Sequence, residues 1–205
     1  MSVQALAAGD YEEINPGSLD RAHRYKLFTG TVIPRPIALV TTLGELGQVN
    51  AAPFSQFVIV AVDPGMLGFS IGPGPRGDKD TLVNVRRERE FVINTVTSPL
   101  AQIVQHCGED MPPDVSEVEV TGLGVLPSVH VRAPRIAQSR VQFECRLERI
   151  VEVGSAPNHF VIGEVLLVHI EKGLHEDCRI DTRRYDPIGR LGGRNYSRLG
   201  DIIET

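Results

Sequence analysis

Lys79, Asp80 and Thr81 stand in a row where a helical pattern begins, with Leu82 and Val85 spaced for one inner face. An ammonium, a hydroxyl and the free N–H groups of a helix start together suit an anion. Asp80 opposes that use, because its carboxylate repels an anion, so it is expected to cap the helix or to brace Lys79. Taken alone, the tripeptide reads first as an ordinary helix start. A second set lies upstream, in the stretch from Ile33 to Phe57. There the return limb of a hairpin carries Asn50, Ala51, Ala52, Pro53 and Ser55. Proline removes a ladder donor and small alanines leave the backbone approachable, so this limb suits a sheet edge with a flat ligand against it. If Phe54 faces the core, Ser55 points the other way, toward ligand or toward water.

Other chemistries find less support. Gly72-Pro73-Gly74-Pro75-Arg76-Gly77 resembles a phosphate cradle only in its glycines, since its prolines delete the donors a P-loop needs. It reads instead as a mobile loop. The same prolines spoil Gly72-x-Gly74-x-x-Gly77 as a dinucleotide fingerprint, so a Rossmann site is not expected. His23, His106, His130, His159, His169 and His175 are scattered without i, i+4 pairing, and no metal site is expected. Cys107, Cys145 and Cys178 form neither a disulfide framework nor a zinc motif. Ser55 has no histidine and acid partners in sequence logic, so nucleophilic catalysis is not expected.

These residues must be held by a strand-rich frame. Pro34 and Pro36 keep their neighbours extended, and Ile37 to Thr42 reads as a strand. Gly44 and Gly47 supply the turn, and the return strand is expected to run on through Val58–Val62 to Asp63-Pro64-Gly65. Further strands are expected at Met66–Ile71, Phe91–Val96, Arg140–Glu148 and Phe160–Ile170. Arg140–Glu148 has the cleanest period of two, with Val141, Phe143, Cys145 and Leu147 inward and Gln142, Glu144 and Arg146 outward. Cys145 is thus expected to be a buried small hydrophobe. Helices are expected from a Ser18 cap to about Gly30, over Thr81–Arg89, over Leu100–His106 and over Pro112–Val120. Residues 1–17 read as an arm, and the tail 181–205 shows neither period. No repeat or linker divides the chain, so 1–205 is expected to form one mainly β domain, an antiparallel barrel with short helices in its connections.

Composition narrows the partners. With 205 residues, 41% hydrophobic and 23% charged, the chain supports one substantial core. A formal charge of -5 argues against nucleic acid, which needs a basic footprint. The clusters Arg86, Arg87, Arg89 and Arg183, Arg184 are interleaved with acids and read as solvated faces. The N-terminal stretch lacks a basic n-region, and no apolar run approaches the roughly 20 residues of a membrane helix. A cytoplasmic protein is expected.

The ordered set of motifs resembles a known family. RPIALVTT…GQVNAAPFSQF (35–57), DKDTLVN (78–84), EFVIN (90–94), FEC (143–145), IGEV (162–165) and PIGRLGG (187–193) are similar to the signature of the flavin reductase-like, FMN-binding split barrels. The set covers the chain from about Leu27 to Tyr196. The resemblance implies a homodimeric split β-barrel with FMN near the subunit interface, FAD being the alternative flavin. It further implies hydride transfer from NAD(P)H to flavin, with a flavin-dependent monooxygenase as the partner that consumes reduced flavin. An FMN electron carrier of the flavoredoxin kind, or a flavoenzyme acting on a small organic substrate, are the other readings. Carried onto this chain, it makes Ser55, Lys79 and Thr81 phosphate-binding residues, with Asp80 beside them. Thr41, Thr42, Asn50 and Ala52 fall at the ring edge, Arg35 at ring or phosphate or else as an ordinary surface arginine, and Tyr196 at the flavin or in the core. No catalytic side chain is implied, because the cofactor performs the redox step.

Overall fold

A computed structural model describes residues 5–112 and 114–204. Two short 3-10 turns, Ala8–Asp10 and Pro16–Ser18, precede helix α1 (Arg21–Thr31). Strands β1 (Ala38–Leu43), β2 (Val49–Phe54), β3 (Phe57–Val62) and β4 (Gly65–Ile71) follow, then α2 (Asp80–Glu88) and β5 (Glu90–Thr95). Helices α3 (Ala101–Cys107) and α4 (Glu117–Thr121) lead to β6 (Val125–Leu126) and β7 (Arg135–Ile136). The long strands β8 (Val141–Val153) and β9 (Asn158–Ile170) form the next hairpin. The chain ends in β10 (His175–Glu176), β11 (Arg179–Ile180), α5 (Thr182–Tyr185), β12 (Ile188–Arg190) and β13 (Tyr196–Arg198).

Seven strands form one antiparallel sheet in the order β2-β1-β5-β8-β9-β4-β3. Its two edge strands, β2 and β3, are joined by Ser55 and Gln56 alone. Two residues span only about 7 Å, so the sheet must roll until its edges are neighbours. That is a split barrel: rolled shut, with no ladder across the seam. Phe54 of β2 meets Phe69 of β4 across the interior, ring centroids 5.0 Å apart, and Phe91 stands edge-on to Phe69 at 5.4 Å. Leu82 and Val85 of α2, Cys145 and Val161 complete this inner core. A second core packs Leu39, Ala51 and Ile136 against Leu100 and Val104. Among the described residues, no helix is long and apolar enough to cross a membrane.

The structure corrects several expectations. The return strand does not run on through Val58–Val62; it stops at Phe54, bends at Ser55-Gln56, and Phe57–Val62 pairs with β4 on the opposite edge. Pro53, which has no N–H to continue the ladder, explains the break. The cap of α1 is Asp20, whose carboxylate accepts from His23 N at 2.8 Å, while Ser18 Oγ turns back to Asn15 O. Gly30 lies inside the helix, which ends beyond it. The acidic helix is confined to α4; Pro113, within the expected span, lies outside the described residues. The tail is not without structure, since β12 and β13 pair as a hairpin and Arg35 bridges to Arg190.

The alternating strand also departs from its pattern. Cys145 and Leu147 are buried as expected, but so are Gln142 and Glu144 on the other face. The segment around Val129–Ala133 covers that face. Glu144 accepts from Val129 N at 2.8 Å, His130 N at 2.6 Å and His169 Nε2 at 2.6 Å. Burial pushes its carboxyl up, but the two N–H groups and the imidazole outweigh that and hold it below the usual carboxylate range.

Candidate functional site

A groove of about 660 Å³ opens where the barrel seam, α1, the end of α3 and the tail hairpin meet. This size falls within the range of ligand pockets. Its floor is the bend Pro53-Phe54-Ser55-Gln56, with Ser70, Gly72 and Pro73 from the end of β4 beside it. One wall is α1, the other Gln105, Arg190, Leu191 and Tyr196. Five cations line it (Arg21, Arg24, Arg35, Lys79 and Arg190) and no aspartate or glutamate does. In a chain of net charge -5, that segregation marks an anion site.

Arg35 is buried, and every bond its guanidinium makes goes to a neutral oxygen. Nη1 donates to Thr29 O at 2.6 Å and Val32 O at 2.7 Å, Nη2 to Leu191 O at 3.1 Å, and Nε to Ser55 Oγ at 3.3 Å. The side chain thereby joins the last turn of α1, the seam and the tail. Its charge has no carboxylate partner among the described residues, so the positive potential remains in the groove. Arg190 is fixed in a similar way. Its guanidinium lies 4.6 Å from the Tyr196 ring centroid, donates to Gln105 Oε1 at 2.8 Å and to Gly193 O at 2.6 Å, and bonds the Tyr196 hydroxyl. Tyr196 Oη in turn donates to Gln105 at 3.2 Å. A guanidinium clamped on an aromatic face is pre-organised for a planar or anionic ligand.

Lys79 occupies the N-cap position of α2, and its ammonium has no partner among the described residues. The N–H groups of Asp80 and Thr81 are likewise unbonded at the helix start. Asp80 neither caps the helix nor pairs with Lys79: it is the first helical residue, and no side chain caps α2. The expected brace is absent from the described contacts.

Four sequence candidates therefore share the groove: Arg35, Ser55, Lys79 and Tyr196. Thr41, Thr42, Asn50, Ala52, Asp80 and Thr81 do not line it. Thr42, Asn50 and Thr81 satisfy one another instead. Asn50 Nδ2 donates to Thr42 Oγ1 at 3.2 Å and to Thr81 Oγ1 at 3.0 Å, and Asn84 Nδ2 donates to Thr42 at 3.0 Å. This sealed network clips α2 onto the hairpin directly behind Lys79. Thr41 lies on the opposite face, donating to Pro134 O at 2.5 Å and accepting from Asn94 at 3.1 Å. Ala52 packs against the inner core. The sequence reading missed Arg21, Arg24 and Gln105, and held Arg190 only as part of the tail motif, with no role of its own. The helix phase of Arg21 and Arg24 was readable, but which face meets the seam was not.

A rolled antiparallel sheet whose seam holds a cationic groove beside an aromatic clamp defines a split barrel of the flavin reductase kind. Sequence and structure comparisons agree. The Flavin reductase like domain matches residues 29–189, and the chain belongs to the flavin reductase-like family, a family of oxidoreductases. It is 38% identical over 196 residues to an uncharacterised protein of Halalkalibacterium halodurans, covering 93% of this chain and 94% of that one. The fold matches nitrilotriacetate monooxygenase component B from Bacillus cereus with a TM-score of 0.92 and 33% identity, covering 95% and 98% of the two chains. It matches 2-nitrobenzoate 2-nitroreductase of Pseudomonas fluorescens with a TM-score of 0.86 and 34% identity, covering 95% of each.

Proposed function

We propose that residues 1–205 act as one flavin-binding unit, a homodimeric cytoplasmic reductase that uses NADH or NADPH to reduce FMN for a partner monooxygenase. The observation that carries this reading is the groove with five cations and no acid, built on the seam. Flavin, when bound, supplies the two-electron redox chemistry. The residues present fit that group. Lys79, the free N–H groups opening α2 and Ser55 offer the donors a phosphate needs. The bend at Phe54–Gln56 and the Arg190–Tyr196 clamp offer backbone and a flat cationic face to a ring. The sealed network of Thr42, Asn50, Thr81 and Asn84 acts behind the phosphate donors as a positioning device. The partner oxygenase is inferred from the similarity to a monooxygenase component B.

The dimer reading rests on exposed apolar surface. Edge strand β3 presents Val58, Ile59, Val60 and Val62, and α1 presents Tyr25 and Phe28. Apolar rows on an unpaired edge suit a second copy of the same surface about a two-fold axis. A second reading, a flavoenzyme reducing a small organic compound, is favoured by the 34% identity to a nitroreductase.

The visible spectrum before and after anaerobic NADH or NADPH tests the reading. Yellow protein that bleaches is the expected outcome. Yellow protein that stays yellow removes the nicotinamide donor, and colourless protein that fails to take up FMN removes the flavin altogether. Light scattering is expected to show a dimer; a monomer that retains flavin would end the interface argument.

A further inference from the structure

Gln105 stands in the last turn of α3, held in place by its neighbours Val104 and Cys107, which the second core buries. It lines the groove together with Arg190 and Tyr196. Its Oε1 accepts from Arg190 Nη1 at 2.8 Å and from Tyr196 Oη at 3.2 Å. A guanidinium has donors only, so the amide oxygen must face it; a flipped amide would set N–H against N–H. Tyr196 Oη accepts from Arg190 Nη1, which leaves the phenol proton for Gln105. One arrangement of protons satisfies all three groups, and it turns Nε2 away from the clamp. Nε2 has no partner among the described residues, yet it is open rather than sealed in the interior. Gln56 and Asn158 are the other amides along the groove, and no described contact fixes which end of either faces it.

Gln105 thus brings oriented N–H donors without charge to a groove whose charged residues are all cations. Arg190 draws electron density through the amide oxygen, which strengthens those N–H groups as donors. A phosphate is served better by the cations, whereas a neutral donor suits a carbonyl or a ring nitrogen. The pyrimidine edge of a flavin carries such acceptors, and two-electron reduction leaves negative charge there. We infer that Gln105 is a specificity-determining residue of the groove: its Nε2 donates to the pyrimidine edge of bound flavin and favours the reduced ring over the oxidised one. This rests on the flavin reading above. A donor fixed in advance where charge collects stabilises the charged state without reorganisation.

Fluorescence titration of flavin-free protein with FMN and with riboflavin tests the inference without turnover. Gln105→Leu removes the donors and should weaken both oxidised flavins about fivefold, the worth of one neutral hydrogen bond. Gln105→Glu keeps an oxygen for Arg190 and Tyr196 but offers no N–H. The oxidised ring is uncharged, so Gln105→Glu should weaken riboflavin about as much as Gln105→Leu does. The reduced ring should lose about tenfold more than the oxidised one in Gln105→Leu, which lowers the potential of bound FMN by about 30 mV. Riboflavin bound by Gln105→Glu as tightly as by the parent would make Gln105 only a brace for Arg190. A loss confined to FMN would move it to the phosphate, and an unchanged potential would remove its preference for the reduced ring. Each of these results overturns the inference. Parent protein that takes up neither flavin ends the flavin reading itself, whereas a parent that binds both while both substitutions are silent ends this inference alone.

Discussion

Two polar regions flank the β1–β2 hairpin, and they differ in where their donors end. Behind α2, Thr42, Asn50, Thr81 and Asn84 close on one another, and each is buried. At the seam, Arg35 and Arg190 are held by neutral oxygens and keep their charge, while Lys79 keeps its donors as well. A network whose donors and acceptors match is inert and rigid. One that satisfies its geometry but not its charge is rigid and still hungry for an anion. The first is architecture, the second is a site.

Removing Arg35 should do the most damage, because it serves both roles. Arg35→Ala strands Thr29 O, Val32 O and Leu191 O around a void. The loss should be about 3 kcal/mol, or roughly 6–12 °C in Tm for a chain of this size, and flavin affinity should fall with it. Calorimetric melting with and without FMN checks both. A variant that melts normally would show the guanidinium is not a brace.

Lys79→Ala separates the two roles. Its side chain is exposed, so Tm of the flavin-free protein should move by no more than about 0.5 kcal/mol equivalent. FMN affinity should fall tenfold or more, a charge-assisted contact being worth roughly 1.5–3 kcal/mol. Unchanged affinity in a fluorescence titration would remove Lys79 from the site.

Asn50→Ala tests the sealed side. It leaves the buried Thr81 hydroxyl without its donor, while Thr42 keeps that of Asn84, and should cost about 1–3 kcal/mol in urea unfolding. Affinity for FMN in the still-folded variant should change less than for Lys79→Ala. A larger loss of affinity than of stability would reverse the comparison and make the network part of the site.

The smallest expected effect lies on the hairpin's outer face. Glu117 is buried, accepts from Ala51 N at 2.9 Å, and burial raises its pKa, with Asp80 adding to the shift. A carboxyl raised in the folded state binds its proton more tightly there than when unfolded. Its contribution is therefore complete below the unfolded value near 4.5 and lost as pH rises through the folded one. Glu117→Gln should be more stable than the parent at pH 7 and lose that advantage in acid; parallel Tm–pH curves would contradict this.

Much of this was legible in the residues. Period-two alternation located β8, and Pro53 and Ser55 pointed to a sheet edge, though not to the break that ends β2 there. What failed was telling partners apart. Thr41, Thr42 and Asn50 carry the same groups as a ligand site would, and only the placement of Asn84 and Asn94 shows those groups already engaged. The motif held Arg190, but its own role was hidden because it depends on Gln105, distant in sequence by 85 positions. The burial of Glu144 was hidden because its partners come from the segment around Val129 and from β9, not from its own strand.

The single guanidinium of Arg35 has a kinetic consequence. Helix, seam and tail each surrender a carbonyl or hydroxyl to it, so no one wall can swing away while the other two stay put. Exchange of whatever occupies the groove then proceeds as one concerted opening, and residence time reports the lifetime of that knot. Stopped-flow release from Arg35→Lys, which keeps the charge but not the fork, should be faster even where equilibrium binding is nearly conserved.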